Sequence, residues 1–482
     1  MAVDALAGTA SPPDADRRQD FVPLLLIGLV FCIYLNSLGE VFLFDDNAVI
    51  AEYSPVHSFA GWFAGLSGGI RPALKFSYML NWISGAGPMG FHALNIGIHA
   101  ANTVLVYRLA AALTGRFNLP GMVTGWKSPA FLTALLFAVH PVQTEAVAYI
   151  SGRSSSLMAF FYLAALLAYI RGTEIKQRLW IYIYSPLLFL TAAATKETAL
   201  TLPLAMVLWD ATDRSGQGRC GAVLKRQAAH WLLAVLVVLL VLTNPRYGRL
   251  LWFSLDIRNL HDNLLSQING ISYLLSRLVF VAGLNIDPDI RTVGSWTPFL
   301  VLEFMLLSGM LALAVLNRRK RPWISFGVAW FFVILLPTNS VIPRLDIANE
   351  RQMYLAVPGI FFSLSAELSL AKIYERKAAV AAVAVIFVLL ASFTVLRNNV
   401  YRSEVSLWED TARKSPGKSR VFNNLGCAYE DEGGREKALA MYERALQLDP
   451  DNAVAKDNKL RIEAVEKYKR QDSFLRPYGR RQ

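Results

Sequence analysis

FVPLLLIGLVFCIYLNSLGEVFLFDDN, residues 21–47, decides the fold class. Residues 21–38 carry no charge and are long enough to cross about 30 Å of hydrocarbon as a helix, which takes roughly 20 residues. Asp16-Arg17-Arg18-Gln19-Asp20 precedes them, and no small-residue cleavage site follows, so the run reads as an uncleaved span behind a cytoplasmic tail, 1–20. The stretch ends on Asp45-Asp46, two carboxylates emerging where the span leaves the bilayer.

The rest of the chain repeats this pattern. Of 482 residues, 54% are hydrophobic and 17% charged, against about a quarter charged in soluble domains. The net charge of +12 comes from Lys and Arg that punctuate apolar runs rather than covering one soluble face. They anchor loops at a lipid bilayer, and no nucleic-acid partner is expected. Cys32, Cys220 and Cys427 lie too far apart in sequence for metal-ligand spacing.

Runs near 21–38, 91–113, 128–148, 155–171, 179–195, 197–212, 229–243, 296–316, 323–340, 354–371 and 378–397 predict about eleven transmembrane helices. The basic loops 171–178, 214–226, 317–322 and 372–377 should be cytoplasmic. The last two fall inside only if 268–284, apolar but interrupted by Arg277, is re-entrant or interfacial. Loops 39–90, 244–295 and 341–353 then lie outside with the C-terminus.

At the other end, SRVFNNLGCAYEDEGGREKALAMYERALQLDPDN, residues 419–452, sets Leu425, Gly426, Tyr429, Ala438, Tyr442, Ala445 and Pro450 at tetratricopeptide (TPR) spacing. Gly426 and Ala438 let two antiparallel helices approach. Trp408 and Pro416 stand one repeat upstream of Tyr442 and Pro450, so 401–416 reads as half a preceding repeat. From Ala453 to Arg470 a charged helix caps the unit. The predicted organisation is all-α: tail 1–20, membrane helical bundle 21–400 with outer loop 39–90, TPR-like module 401–470, and basic tail 471–482. A lone repeat buries too little apolar surface to stand by itself, so it should dock on the membrane domain or on a partner.

Ionisable groups beside apolar spans are costly in hydrocarbon and mark cavities or substrate paths. Asp45 and Asp46 are adjacent, and mutual repulsion raises one carboxyl toward the range of a general base, although a helix cap would show the same letters. His140-Pro141 ends a span ahead of Glu145 and Arg153, where Arg could hold a phosphate or simply pair with Glu. His92, Asn95, His99 and Asn102 form one polar helix stripe, read first as interhelical hydrogen bonding. Lys196-Glu197 interrupts two spans, Glu350-Arg351 precedes another, and Arg71 lies in the first outer loop. Asp45/Asp46, Arg71, Glu145/Arg153, Lys196/Glu197 and Glu350/Arg351 could converge on an outward cavity at headgroup level. Carboxylates beside cations suit transfer from a lipid phosphate.

This order of elements resembles the GT-C glycosyltransferases, and within them the transmembrane-and-TPR protein O-mannosyltransferases and their bacterial relatives. The likeness rests on Phe44-Asp45-Asp46, Arg71-Pro72, the run from Phe91-His92 to His99, His140-Pro141 to Ala148, Ser151-Gly152-Arg153, Lys196-Glu197, Glu350-Arg351 and the terminal TPR. It implies a GT-C-like membrane domain and inverting transfer from a polyprenyl-phosphate-linked sugar, such as mannose, to a protein hydroxyl on the non-cytoplasmic face. It further implies Asp45 as catalytic base with Asp46 second. Arg71, His92, His140, Glu145, Arg153, Lys196, Glu197, Glu350 and Arg351 would contact substrate, with Arg153, Lys196 and Arg351 candidates for the lipid phosphate. No metal or other cofactor is expected.

The acceptor protein could be held by the TPR, and the expected location is a bacterial inner membrane with the TPR periplasmic. Two other functions fit the same letters. A non-enzymatic TPR scaffold for envelope assembly would leave Asp45 and Arg153 dispensable, and a lipid or sugar transporter would show an inverted internal repeat, which the sequence lacks.

Overall fold

A computed structural model describes residues 21–119, 125–212 and 220–475. The tails 1–20 and 476–482 and part of one basic loop, 213–219, lie outside the described residues.

The chain is an all-α, multi-pass membrane protein, with no strand among the described residues. All eleven apolar runs are helical. Seven stretches are long and apolar enough to cross a membrane: Phe21–Gly39, Gly87–Arg116, Ile150–Glu174, Gly221–Thr243, Pro298–Asn317, Glu350–Leu370 and Lys377–Arg402. An eighth results if Pro129–Val139 and Pro141–Val147, bent by 57°, form one broken span. Three runs are shorter: Trp180–Thr195 and Pro322–Leu335, and Leu202–Ala211, which follows a 3-10 turn at Glu197–Thr201.

In chain order the helices are α1 (Phe21–Tyr34), α2 (Phe59–Ala64), α3 (Pro72–Ile83), α4 (Gly87–Arg116), α5 (Pro129–Val139), α6 (Thr144–Val147), α7 (Arg153–Glu174), α8 (Ser185–Thr195), α9 (Leu202–Ala211) and α10 (Cys220–Thr243). They continue with α11 (Pro245–Ile257), α12 (Leu260–Ser276), α13 (Pro298–Asn317), α14 (Pro322–Leu335), α15 (Met353–Leu370), α16 (Lys377–Asn398), α17 (Glu404–Lys414), α18 (Ser419–Asp431), α19 (Arg435–Leu448) and α20 (Ala453–Leu475). The stretch 268–284 is the end of α12, which stops before Arg277 and gives way to a 3-10 turn at Val281–Gly283. Its Asn263 and Gln267 face protein, with Asn263 donating to the Ser340 and Val341 carbonyls and Gln267 accepting from Asn339.

Irregular backbone inside a bundle is tolerated only where its polar groups find partners. Between α5 and α7, Asn95 of α4 supplies one amide that reaches the carbonyls of Val147, Tyr149 and Ile150 at 3.2–3.4 Å. Gly152 lets the turn close on itself, because a Cβ there would stand 2.1 Å from the Glu145 carbonyl oxygen. Farther along α4, His99 and Asn102 both meet the Tyr354 hydroxyl, at 2.8 and 3.0 Å. Three members of the α4 stripe are therefore interhelical hydrogen-bonders, as the spacing suggests.

The C-terminal module docks on the membrane domain. Gly426 touches the Tyr442 ring so closely that a Cβ would sit 2.5 Å from it, the approach expected of a TPR helix pair. Leu407, Trp408, Val421 and Leu425 share one core with Leu43, Tyr149 and Ile286 of the loops and turns between the membrane helices. Charged clamps surround that core: Asp287 takes Lys418 and Arg420, the latter at 2.6 Å. Arg420 also reaches Asp346, and Arg397 pairs with Asp410 at 2.7 Å. The acidic loop, the 277–297 segment, the 341–352 segment and the module thus share one end of the bundle. At the other end, the loop after α4 meets the segments carrying basic residues, through Phe117 with Trp323 and Trp126 with Tyr374.

Candidate active site

After α1 the helix tightens into a 3-10 turn, Leu35–Gly39, and the chain then doubles back at Phe44, whose φ is +48°. Side chains other than Gly, Asn and Asp seldom adopt this left-handed region, so neighbouring contacts must hold it. Asp46 does so from within the loop. Its Oδ2 accepts from the Leu43 amide at 3.0 Å and its Oδ1 from the Ser151 amide at 2.8 Å and from the Ser151 hydroxyl. Asp46 is fully buried; it fastens the acidic loop to the start of α7. Asp45 is the opposite case. Its amide donates to the Tyr149 hydroxyl at 3.0 Å, while its half-buried carboxylate accepts no hydrogen bond among the described residues. The two carboxylates therefore divide into one that holds the loop and one free for chemistry.

Burial pushes Asp46 up from 3.8 to about 7, with its Ser151 and Leu43 donors pulling down and Asp45 adding a smaller upward push. A folded-state value above the unfolded one means the native protein holds this proton more tightly. The associated stability is fully present below about pH 4 and is lost as pH rises through about 7. The thermal midpoint of the native protein should fall between pH 5 and 8 more steeply than that of Asp46→Asn, and superimposable pH profiles would show that Asp46 does not titrate there.

Cations gather near Asp45. Arg351, in the turn before α15, lies within Coulombic reach of Asp45. Its amide donates to Glu145 at 2.8 Å and its guanidinium stands 3.5 Å from the same carboxylate. Arg71, itself left-handed at φ +53°, grips Glu197 through Nε and Nη2 at 2.9–3.2 Å. Tyr247 of α11 donates to that same Glu197. Buried Lys196 donates to Ser155 Oγ at 2.8 Å and feels the charges of Arg351, Arg71 and Arg344. Burial, then Arg351 and Arg71, push the Arg344 guanidinium down to about 10. Among the described residues, neither Lys196 nor Arg344 has a carboxylate within salt-bridge distance. These four basic side chains form one electrostatically linked zone with Glu145, Glu197 and Asp346, and Arg351 is the member within reach of Asp45. Such a zone suits a phosphate, since Arg and Lys donate charge-assisted hydrogen bonds to its oxygens.

The fold thus links Asp45, Arg71, Glu145, Lys196, Glu197 and Arg351 through hydrogen bonds and neighbouring charges. The other candidates are not placed to touch a ligand. Arg153, expected at a phosphate, is completely buried; Nε donates to Asn95 at 2.6 Å, Nη2 to the Phe91 carbonyl at 2.9 Å and Nη1 to Ser77 at 3.3–3.4 Å. With all three guanidinium nitrogens engaged, it is a clamp between α3, α4 and α7. His140 caps the turn after α5 through the Val142 amide and meets the Leu278 carbonyl at 3.1 Å. Glu350 is buried, accepts from the Asn285 amide and lies 3.9 Å from Arg397. It braces the 277–297 segment. His92 is buried with Nδ1 3.9 Å from Glu40, and neither side chain has a hydrogen-bond partner among the described residues. Burial raises Glu40 to about 10, so it is neutral there.

Arg344 did not emerge from the sequence. It lies seven residues before Arg351 in a loop that also carries Asp346, and the criterion that flagged Arg71 would have flagged it. Among the described residues, no three His, Cys, Asp or Glu side chains cluster as a metal site requires.

Comparison with known proteins bears on the family rather than on the site. Residues 419–452 match the tetratricopeptide repeat family. A protein O-mannosyl-transferase of Caenorhabditis elegans is 25% identical over 92% of this chain and 65% of its own length. Mouse protein O-mannosyl-transferase TMTC4 is 24% identical over 87% of this chain and 65% of its own. The Drosophila melanogaster protein O-mannosyl-transferase Tmtc2 is 33% identical over 48% of this chain and 25% of its own. The chain thus spans about 65% of the length of the first two relatives. Over most of its length the chain is similar to protein O-mannosyl-transferases, and it carries a tetratricopeptide repeat.

Proposed function

We propose that this protein is a membrane glycosyltransferase that moves a sugar, mannose by analogy with its relatives, from a polyprenyl-phosphate donor to a protein hydroxyl. The observation that carries this reading is the unengaged Asp45 carboxylate within Coulombic reach of Arg351 in the four-cation zone. The acceptor oxygen attacks the anomeric carbon as Asp45 takes its proton. The bond from that carbon to the phosphate oxygen breaks, and the phosphate departs with one more negative charge. Arg351, Lys196, Arg344 and Arg71 are set to receive that charge as it develops, where preorganised electrostatics contribute most. Tyr149 fixes the Asp45 backbone from behind. The reaction as written needs no metal or other cofactor.

The basic loops support a cytoplasmic location for their end of the bundle, by the enrichment of Lys and Arg in cytoplasmic loops. Asp45 and the TPR module then face the periplasm of a bacterial inner membrane, where the module could present an acceptor protein. The test is mass spectrometry of envelope proteins from cells with and without the gene. Hexose adducts on Ser or Thr should vanish in its absence and return with the wild-type gene. An unchanged adduct pattern would leave the scaffold or transporter reading in place.

A further inference from the structure

Asp45 lies between two residues held from outside the membrane domain. On one side the Phe44 amide donates to Glu404 Oε1 at 2.8 Å, and on the other Asn47 Nδ2 donates to the same oxygen at 3.0 Å. Glu404 is the first residue of α17, the opening helix of the C-terminal module. One helical turn on, Trp408 meets the Phe44 ring edge-on, with centroids 5.1 Å apart and planes at 84°. Positions four apart share a helix face, so a single face of α17 holds both the backbone and the ring of Phe44. Phe44 is the left-handed residue of the turn, a conformation that is costly for a non-glycine residue. Asp46, Ser151 and Tyr149 brace the loop from the bundle side; Glu404 and Trp408 brace it from the module side.

We propose that Glu404 is a positioning residue. Through Phe44 and Asn47 it fixes the direction of the Asp45 carboxylate, so the module completes the active site of the membrane domain. This rests on the reading of Asp45 as the catalytic base. Without the Glu404 oxygen, nothing on the module side holds the Phe44 amide. The turn relaxes toward ordinary φ and carries the Asp45 backbone with it. A misplacement of about 1 Å at a reacting group can cost about 100-fold in rate. The cation zone does not touch Glu404, so donor binding is unaffected.

The experiment uses the full chain in lipid nanodiscs, with polyprenyl-phosphate mannose as donor and envelope proteins of gene-deleted cells as acceptor. Glu404→Ala should lower kcat by about 10–100-fold with donor KM within about twofold. It should also speed hydrogen exchange of amides 43–47. Both hydrogen bonds land on one oxygen, which a glutamine retains, so Glu404→Gln should restore kcat and amide protection to within a few-fold. Glu409→Ala is the control. Glu409 accepts from the Tyr429 hydroxyl at 2.6 Å within the module, so its loss should lower the unfolding midpoint and leave kcat near wild type.

Wild-type kcat and exchange in Glu404→Ala would overturn the proposal, as would a Gln variant no better than Ala or a Glu409→Ala variant with the same loss. Asp45→Asn, run alongside, separates the two levels of the argument. If it is inactive while Glu404→Ala is unaffected, only the positioning role fails. If it retains full activity, the base assignment fails and the positioning role with it.

Discussion

Asp45→Asn should lower sugar transfer by about 100- to 10,000-fold, the range a lost general base commands, with the protein still expressed and folded at wild-type level. Asparagine is the same size and cannot take a proton at neutral pH. Folding should survive because the Asp45 carboxylate accepts no hydrogen bond among the described residues; the loop is fastened by the Asp45 amide and by Asp46. Donor binding should change little, since Arg71, Lys196, Arg344 and Arg351 remain. Transfer of radiolabelled mannose from its polyprenyl phosphate, scored against protein recovered from size exclusion, is the measurement. Full activity in Asp45→Asn would remove the catalytic assignment. Asp46→Asn offers the contrast: its oxygen can still accept from Ser151, but its amide nitrogen faces the Leu43 amide, so the damage should appear first in loop order.

How much of this was legible in the sequence depends on the range of the interactions involved. The apolar runs are local, and each one became a helix. The TPR signature is equally local: Gly426 against Tyr442 is a contact that repeat spacing alone forecasts. The division of labour between Asp45 and Asp46 is not local. It is decided by Ser151, about a hundred positions away, and the acidic dipeptide reads the same with either residue free. Glu404 was missed for the same reason, since it matters only through Phe44, a neighbour brought up by folding. Arg344 is different: the criterion that flagged Arg71 covers it, and folding adds only its setting beside Arg351 and Arg71. Arg153 shows the converse error, because an arginine beside a span looks like a phosphate ligand until its acceptors are seen.

That distinction gives the second large effect. Arg153→Met and Arg153→Lys should both lower the yield of folded protein, and lysine should not rescue. In wild type the guanidinium satisfies Asn95 Oδ1, the Phe91 carbonyl and Ser77 in three directions, and it lies over the rings of Tyr78 and Phe91 at 5.1–5.2 Å. Methionine fills the volume but leaves Asn95 Oδ1 without its donor and takes a second donor from the helical Phe91 and Ser77 carbonyls, at about 1.5–3 kcal/mol for each charge-assisted bond lost. Removing a buried charge recovers part of that cost, so the net loss should be about 2–5 kcal/mol, a large share of a typical stability. Lysine keeps the burial cost of a cation and lacks the planar fork that matches three diverging acceptors. A phosphate ligand would behave in the reverse order: lysine would fold normally, retain much of the activity and raise only the donor KM. Monodisperse recovery and thermal midpoints of the two variants in detergent decide between these roles. A well-folded Arg153→Lys with a raised donor KM would return Arg153 to the phosphate site.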